Sequence, residues 1–354
     1  MKVGIINVTG YAGVELARIL VRHPNVELTT VTGRSAVGQM LSEVFPHLHG
    51  LDLPIRAEAD LDGSLDLVFS ALPHKASAEA IGPLIKGGVK VIDISADFRL
   101  KSATEYEEWY ETPHPYPDLL EDAVYGLTEL NRREVSSAQL VANPGCYPSS
   151  AILALAPAIK AGIIHPEIII DSKSGVSGAG RGLSLTTHFS EVNESVMAYS
   201  VHGHRHMPEI AQELTHMWPT PQDRQDSESN CSVTFMPHLI PMTRGILSTC
   251  YAKLKDNAIP PGERGDEEIL AIYRDAYKEE PFVKVHSTSP MTKHTLGSND
   301  CIVFPNVDHR TNRLITIGCL DNLVKGAAGQ AIQNMNLMLG IPEVTALEQL
   351  AIYP

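Results

Sequence analysis

In the first third of the chain, short apolar β-branched runs alternate with segments of helical period, and few folds accept that rhythm. Residues 2–8 read as a short, fully buried strand. A turn at Thr9-Gly10-Tyr11-Ala12-Gly13 follows, and residues 14–22 carry Leu16, Ile19 and Leu20 at helical spacing. Residues 26–31 form a second run, closed by Thr32-Gly33-Arg34-Ser35, and 65–72 and 89–94 repeat the pattern around a helix-compatible 75–86. Such alternation builds parallel βαβ units and a doubly wound sheet. The proline-rich stretch 112–117 reads as a surface loop. After residue 146 the character changes. Residues 163–171 and 231–240 read as strands of a different sheet, 175–182 as a glycine-rich loop and 219–230 as a polar, exposed loop. Residues 266–278 have the pattern of an amphipathic helix, and a strand-like 314–320 leads to a final helix at 326–339.

At 354 residues the chain has room for two domains, each with its own core. Its 28 basic and 42 acidic residues give a formal charge of −14, which argues against non-specific nucleic-acid binding. An anionic small substrate stays open, because a few local arginines reverse the field inside one cleft. The five cysteines (Cys146, Cys231, Cys250, Cys301 and Cys319) are odd in number and widely spread. Without a CxxC pair or a short Cys/His spacing, neither a disulfide framework nor a zinc site is expected. No apolar run reaches spanning length and no cleavable leader is evident. A soluble, cytoplasmic protein is the expectation.

The first turn has the spacing of a dinucleotide fingerprint, with Asn7 where glycine is usual, then Gly10 and Gly13. Asn enters the left-handed region more readily than most residues, so the tight turn survives. Gly10 would let the backbone approach a pyrophosphate, and Gly13 would permit close helix–sheet packing. An ordinary βα turn is the plainer alternative. At the end of the second strand an Asp or Glu usually holds an unphosphorylated ribose. Here Arg34 and Ser35 stand instead, a cation and a hydroxyl suited to a 2′-phosphate, so NADPH is the expected cofactor. The competing view of Arg34 is a solvated surface charge.

Pro144-Gly145-Cys146-Tyr147-Pro148 joins an apolar run to a second one, as a strand–turn–helix would. Cys146 then sits at or just before a helix N-terminus, where unpaired N–H groups stabilise a thiolate. Its plainer alternative is a small buried residue in a turn. Downstream, His202-Gly203-His204-Arg205-His206 is the densest polar cluster. One of its histidines suits general acid/base work and Arg205 suits an anion. Glu209, three residues after His206, could orient that imidazole if the segment is helical. The alternatives are a polar loop leading into a helix and alternating histidines that converge on one metal ion. The second is set back because no further ligand cluster stands out and hydride chemistry needs no metal.

Together these motifs resemble the N-acetyl-gamma-glutamyl-phosphate reductase family over nearly the full length. The resemblance rests on the Thr9–Leu16 turn, on Asp93-Ile94-Ser95-Ala96-Asp97-Phe98-Arg99-Leu100, and on Asn143-Pro144-Gly145-Cys146-Tyr147-Pro148. It continues through Gly175-Val176-Ser177-Gly178-Ala179-Gly180-Arg181, His204-Arg205-His206-Met207-Pro208-Glu209-Ile210, Pro237-His238-Leu239, Arg244-Gly245-Ile246-Leu247 and Asp321 to Gln330. The chain departs from the pattern at Asn7 and at Ser149, where threonine is usual. The resemblance implies an α/β fold: a Rossmann-type doubly wound NADP-binding domain (1–146 plus 320–354) and an α+β catalytic and dimerisation domain (147–319). It implies reduction of an acyl phosphate through a Cys146 thioester, with His206 as acid/base and Glu209 as its orienting partner. Arg99, His204, Arg205 and His238 would bind substrate. Gly10, Tyr11, Ala12, Gly13, Arg34, Ser35, Ser177, Gly178 and Asn322 would bind NADPH, with a homo-dimer or homo-tetramer as the assembly. The rivals are a lysine-pathway amino-adipyl-phosphate reductase, an aspartate-semialdehyde dehydrogenase and an inactive nucleotide-binding protein.

Overall fold

A computed structural model describes residues 1–61, 64–218 and 231–354, so the loop expected at 219–230 lies outside the described residues. The chain divides into two compact units, Met1–Gly145 with Gly326–Gln349, and Cys146–Lys325 with Leu350–Pro354.

The first unit is built on a seven-stranded sheet of β1 (Lys2–Ile6), β2 (Glu27–Thr32), β3 (Ile55–Arg56), β4 (Leu67–Ser70), β5 (Lys90–Asp93), β6 (Val124–Tyr125) and β7 (Leu140–Ala142). Its order is β3-β2-β1-β4-β5-β7-β6, and every described pairing is parallel. The helices are α1 (Tyr11–Leu20), α2 (Leu41–Val44), α3 (Ser77–Lys86), α4 (Ala103–Tyr110), α5 (Asp118–Asp122) and α6 (Thr128–Ser137). The central strands β1, β4 and β5 are buried almost throughout because helices cover both faces of a parallel sheet. Strand order reverses between β1 and β4, which makes the loops at their carboxyl ends the crevice where an open α/β sheet binds its ligand. The first strand is shorter than the expected 2–8, and α1 starts at Tyr11 rather than at residue 14. Both differences follow from the turn: Asn7 adopts φ 63° and Gly10 is an extended N-cap.

The second unit holds a mixed seven-stranded sheet: β8 (Ile164–Gly175), β9 (Met197–Ala198), β10 (Ser232–Ile240), β11 (Ile246–Leu254), β12 (Val283–Val285), β13 (Cys301–Asp308) and β14 (Arg313–Leu320). They run in the order β12-β13-β14-β11-β8-β10-β9, with β8–β10 and β12–β13 parallel and the other pairs antiparallel. Helices α7 (Cys146–Lys160), α8 (Phe189–Val192), α9 (His206–Met217) and α10 (Glu263–Ala276) complete it, and the chain then returns to the first unit as α11 (Gly329–Met338). From Tyr147 to Ile159 every residue of α7 is buried, so this mostly apolar helix is covered all round and forms the unit's centre. Strand β14 passes so close to it that a Cβ on Gly318 would stand 2.1 Å from the Ser150 carbonyl oxygen. Pro157 lacks the N–H that would close on the Leu153 carbonyl, and the Tyr277 hydroxyl donates to that carbonyl instead. The helix expected at 266–278 begins earlier, at Glu263, after Gly262 turns the chain with φ 70°. The final helix follows a π-turn at Val324–Ala328, and the 175–182 loop contains a 3₁₀ turn at Val176–Ala179.

Candidate active site

In the first unit the fingerprint turn lies in the switch-point crevice. The first turn of α1 has neither a side-chain cap on its orphan N–H groups nor an acidic residue. A helix start of this kind favours an anion. A Cβ on Gly13 would fall 2.5 Å from the Asn7 carbonyl oxygen, so glycine there lets α1 seat on β1. At Gly10 a Cβ would meet nothing nearer than 3.6 Å, so the protein itself would accept alanine. Glycine at that position leaves room for a ligand, and the turn fits the pyrophosphate of a dinucleotide. Tyr11 is exposed and Ala12 half-buried beside it. After β2, Arg34 and Ser35 are both exposed. Arg34 is engaged: its Nε donates to Glu58 Oε1 at 2.9 Å and a terminal nitrogen to Oε2 at 3.3 Å. A 2′-phosphate at this strand end would share or displace Glu58.

In the second unit Cys146 is the first residue of α7 and is half-buried, whereas the other four cysteines are buried. Burial drives the Cys250 thiol far up and Cys319 to about 12, which leaves both inert as nucleophiles. Helix α9 packs on α7, and its start carries the histidine pair. The His204 and His206 rings lie 4.8 Å apart, each 5.8 Å from the Tyr147 ring. Phe235 completes the aromatic wall, 5.3 Å from Tyr147 and 5.4 Å from His204. A hydroxyl relay crosses this wall: Tyr199 donates to Tyr147 at 3.1 Å, and Tyr147 donates to the His238 carbonyl at 3.3 Å. Burial lifts the Tyr199 phenol to about 12; the Tyr147 hydrogen bond offsets this in part and the nearby Cys146 charge adds to it. Tyr199 and Phe235 carry no sequence signal, being single aromatics in an irregular loop and an ordinary strand.

The two histidines differ in their bonding. His204 Nδ1 accepts the backbone N–H of His206 at 3.0 Å and so caps the start of α9 in place of Arg205, which makes no side-chain cap. An imidazole accepting at Nδ1 is neutral with its proton on Nε2. Burial first, then the charge of Arg205, lowers the His204 pKa to about 4. Glu209 is buried one helical turn after His206 on α9, at the spacing where side chains share a face. Arg205 is exposed at the helix start.

The remaining expected site residues lie on other elements. Phe235 and Pro237 face α7, so His238, of opposite parity on β10, points to the other face of the sheet. There its Nδ1 lies 3.2 Å from Asp171, which also pairs with Lys173 at 2.6 Å. Asn322 is buried and braced within the second unit, accepting from the Gly245 N–H at 2.8 Å and donating to Ser177 Oγ at 2.9 Å. A Cβ on Gly178 would stand 2.9 Å from Ser174 Oγ. In the first unit Arg99 is buried, with Nε on the Asn143 carbonyl at 2.9 Å and a terminal nitrogen on that of Ile94 at 2.8 Å. It braces the turn that leads to Cys146. Nearby, the buried Asp97 carboxylate accepts from Lys75, Ser77 and Ala78 N–H groups and from the Tyr106 hydroxyl.

Residues 2–138 match the model of the semialdehyde dehydrogenase NAD-binding domain, and residues 146–322 that of the semialdehyde dehydrogenase dimerisation domain. The fold is similar to that of aspartate semialdehyde dehydrogenase II from Vibrio cholerae, with a TM-score of 0.71 at 16% identity over 96% of this chain and 98% of that one. Fold and matched domains thus define a protein of the semialdehyde dehydrogenase class. Within that class, the N-acetyl-gamma-glutamyl-phosphate reductase of Dehalococcoides mccartyi is 56% identical over 100% of this chain and 99% of its own length. The enzyme of the same name from Pelotomaculum thermopropionicum is 51% identical over the same shares. The chain belongs to the N-acetyl-gamma-glutamyl-phosphate reductase family. Among the described residues, no helix is long and apolar enough to cross a membrane.

Proposed function

We propose that this protein reduces N-acetyl-5-glutamyl phosphate to N-acetyl-glutamate 5-semialdehyde and phosphate, a step of arginine biosynthesis, through a thioester on Cys146. The observation that carries the mechanism is the half-buried Cys146 at the start of α7, with the histidine-bearing start of α9 packed beside it. The helix start favours the thiolate, which is the reactive form. Cys146 Sγ attacks the acyl carbon; the C–S bond forms, the carbon–oxygen bond to the phosphate breaks, and the phosphate leaves with a proton taken from solvent. NADPH held by the Gly10–Gly13 turn with Arg34 and Ser35 would supply one hydride to the thioester carbon. His206 then gives a proton to the hemithioacetal oxygen and takes it back as the C–S bond breaks, which restores the thiolate and releases the aldehyde. Glu209 orients His206, and His204, neutral and locked as a cap, holds the start of α9. Arg205, exposed at that helix start, takes the departing phosphate or the substrate carboxylate. Arg99 acts by holding the Asn143 turn rather than from open solvent. Arg34 and Ser35 select the 2′-phosphate, and Gly10 to Gly13 hold the pyrophosphate. Ser177 and Gly178 line the nicotinamide site, which Asn322 braces.

The working form is a homo-dimer or homo-tetramer in the cytoplasm, joined through the second unit. The side of its sheet away from α7 leaves Ile169 exposed and its neighbours only partly covered. The reverse reaction tests the reading. Semialdehyde, phosphate and NADP⁺ are expected to give phosphate-dependent reduced nicotinamide. Activity with the one-carbon-longer aldehyde alone would move the protein to the lysine-pathway reaction.

A further inference from the structure

Asn7 stands where the fingerprint carries glycine, and its side chain does more than tolerate the turn. In the parallel β1–β4 ladder the Ala71 N–H donates to the Ile6 carbonyl at 3.0 Å, and the next donor to Ala71 would be the Val8 N–H. Asn7 is left-handed, however, and Val8 donates instead to Thr32 on the β2 side at 2.8 Å. The ladder therefore splits at the reversal of strand order. The Ala71 carbonyl is satisfied by the Asn7 side chain, whose Nδ2 donates to it at 2.8 Å. Thr9 Oγ1 reaches Asn7 Oδ1 at 3.4 Å, which holds the amide in that orientation. The far end of the same β4–α3 loop is held at Lys75, Ser77 and Ala78 by Asp97.

We infer that Asn7 is a positioning residue that fixes the width of the dinucleotide crevice by tying the β4–α3 loop to the fingerprint turn. A glycine here would keep the backbone conformation and leave the Ala71 carbonyl without this donor beside the place of the pyrophosphate. The inference rests on the cofactor reading above. Its test is calorimetric titration of NADPH into the wild type, Asn7→Gly and Asn7→Asp, with hydrogen exchange of the ligand-free proteins and steady-state kinetics alongside. The loss of one hydrogen bond that orders a ligand crevice predicts a roughly fivefold or greater rise in NADPH Kd for Asn7→Gly. Asn7→Asp, which sets a carboxylate against a carbonyl, is expected to bind more weakly still. Both variants should show faster exchange over residues 71–78. The KM for NADPH should rise while the KM for the acyl phosphate and kcat stay within twofold. Equal or tighter NADPH binding by Asn7→Gly would overturn the inference, as would a fall in thermal stability with Kd and KM unchanged. Failure of the wild type to bind NADPH would overturn the functional reading, and this inference with it.

Discussion

Two neighbouring histidines of one sequence cluster do different work because their hydrogen bonds differ. His204 is spent on a helix cap and is held neutral down to about pH 4, whereas His206 opens α9 beside Tyr147. His206→Asn is expected to lower kcat by about 10²- to 10⁴-fold. His204→Ala should chiefly lower stability, by ~1 kcal/mol, and leave the pH–rate profile above pH 5 unmoved. A profile that shifts in His204→Ala and not in His206→Asn would reverse the assignment. At the other site, Arg34 already grips Glu58. Glu58→Gln is therefore expected to lower the KM for NADPH, and Arg34→Ala to raise it roughly tenfold while the NADH value stays put. Kinetics with the two cofactors read this directly.

The elements show what a sequence reveals and what it hides. The βα alternation of the first unit was legible because buried parallel strands must be apolar on both faces. In the second unit β11 escaped notice because its inward positions include Ser248, Cys250 and Ala252, while Leu247 and Tyr251 face outward. That inverts the usual alternation, and the cause lies across the interface: Ser150, Ser248 and Ser172 form a buried hydroxyl chain at 2.6 and 2.7 Å between α7 and the sheet. The motif residues around Cys146 and His206 were legible. The face presented by His238 was not, since parity on a strand is fixed only once its partners are known. Helix α7 offers a test of its own. Tyr277→Phe should cost ~1–3 kcal/mol by stripping the Leu153 carbonyl of its donor. In a Pro157→Ala background the cost should shrink, because residue 157 then supplies the missing helical N–H. Denaturant melts of the four proteins complete the cycle, and equal costs in both backgrounds would refute this role for Tyr277.

At the scale of the whole molecule, buried titratable groups set the response to acid. Burial lowers the pKa values of His23, His114 and His204 below the ordinary 6.5, the last to about 4. Each contributes stability that is present above pH 6.5 and lost as pH falls toward its folded value. Asp93 acts the other way. Burial, then the charge of Asp97, raises it from 3.8 to about 6, so its contribution is present below pH 3.8 and lost as pH rises through 6. Burial raises Asp300 and Glu105 in the same sense. Between pH 7 and pH 5 protonation of Asp93 offsets the loss from the histidines, so Tm should drop further on acidification in Asp93→Asn than in the wild type. The same change of Tm in both proteins would contradict this role of Asp93.

The central claim is that the acyl group passes through Cys146, and a single turnover without NADPH tests it most directly. On mixing with N-acetyl-5-glutamyl phosphate and quenching in acid, the wild type should release one phosphate per chain and carry the acyl group as a thioester on the peptide containing Cys146. Cys146→Ser should show no such burst. Release of phosphate with no adduct, or an adduct on another residue, would contradict the account.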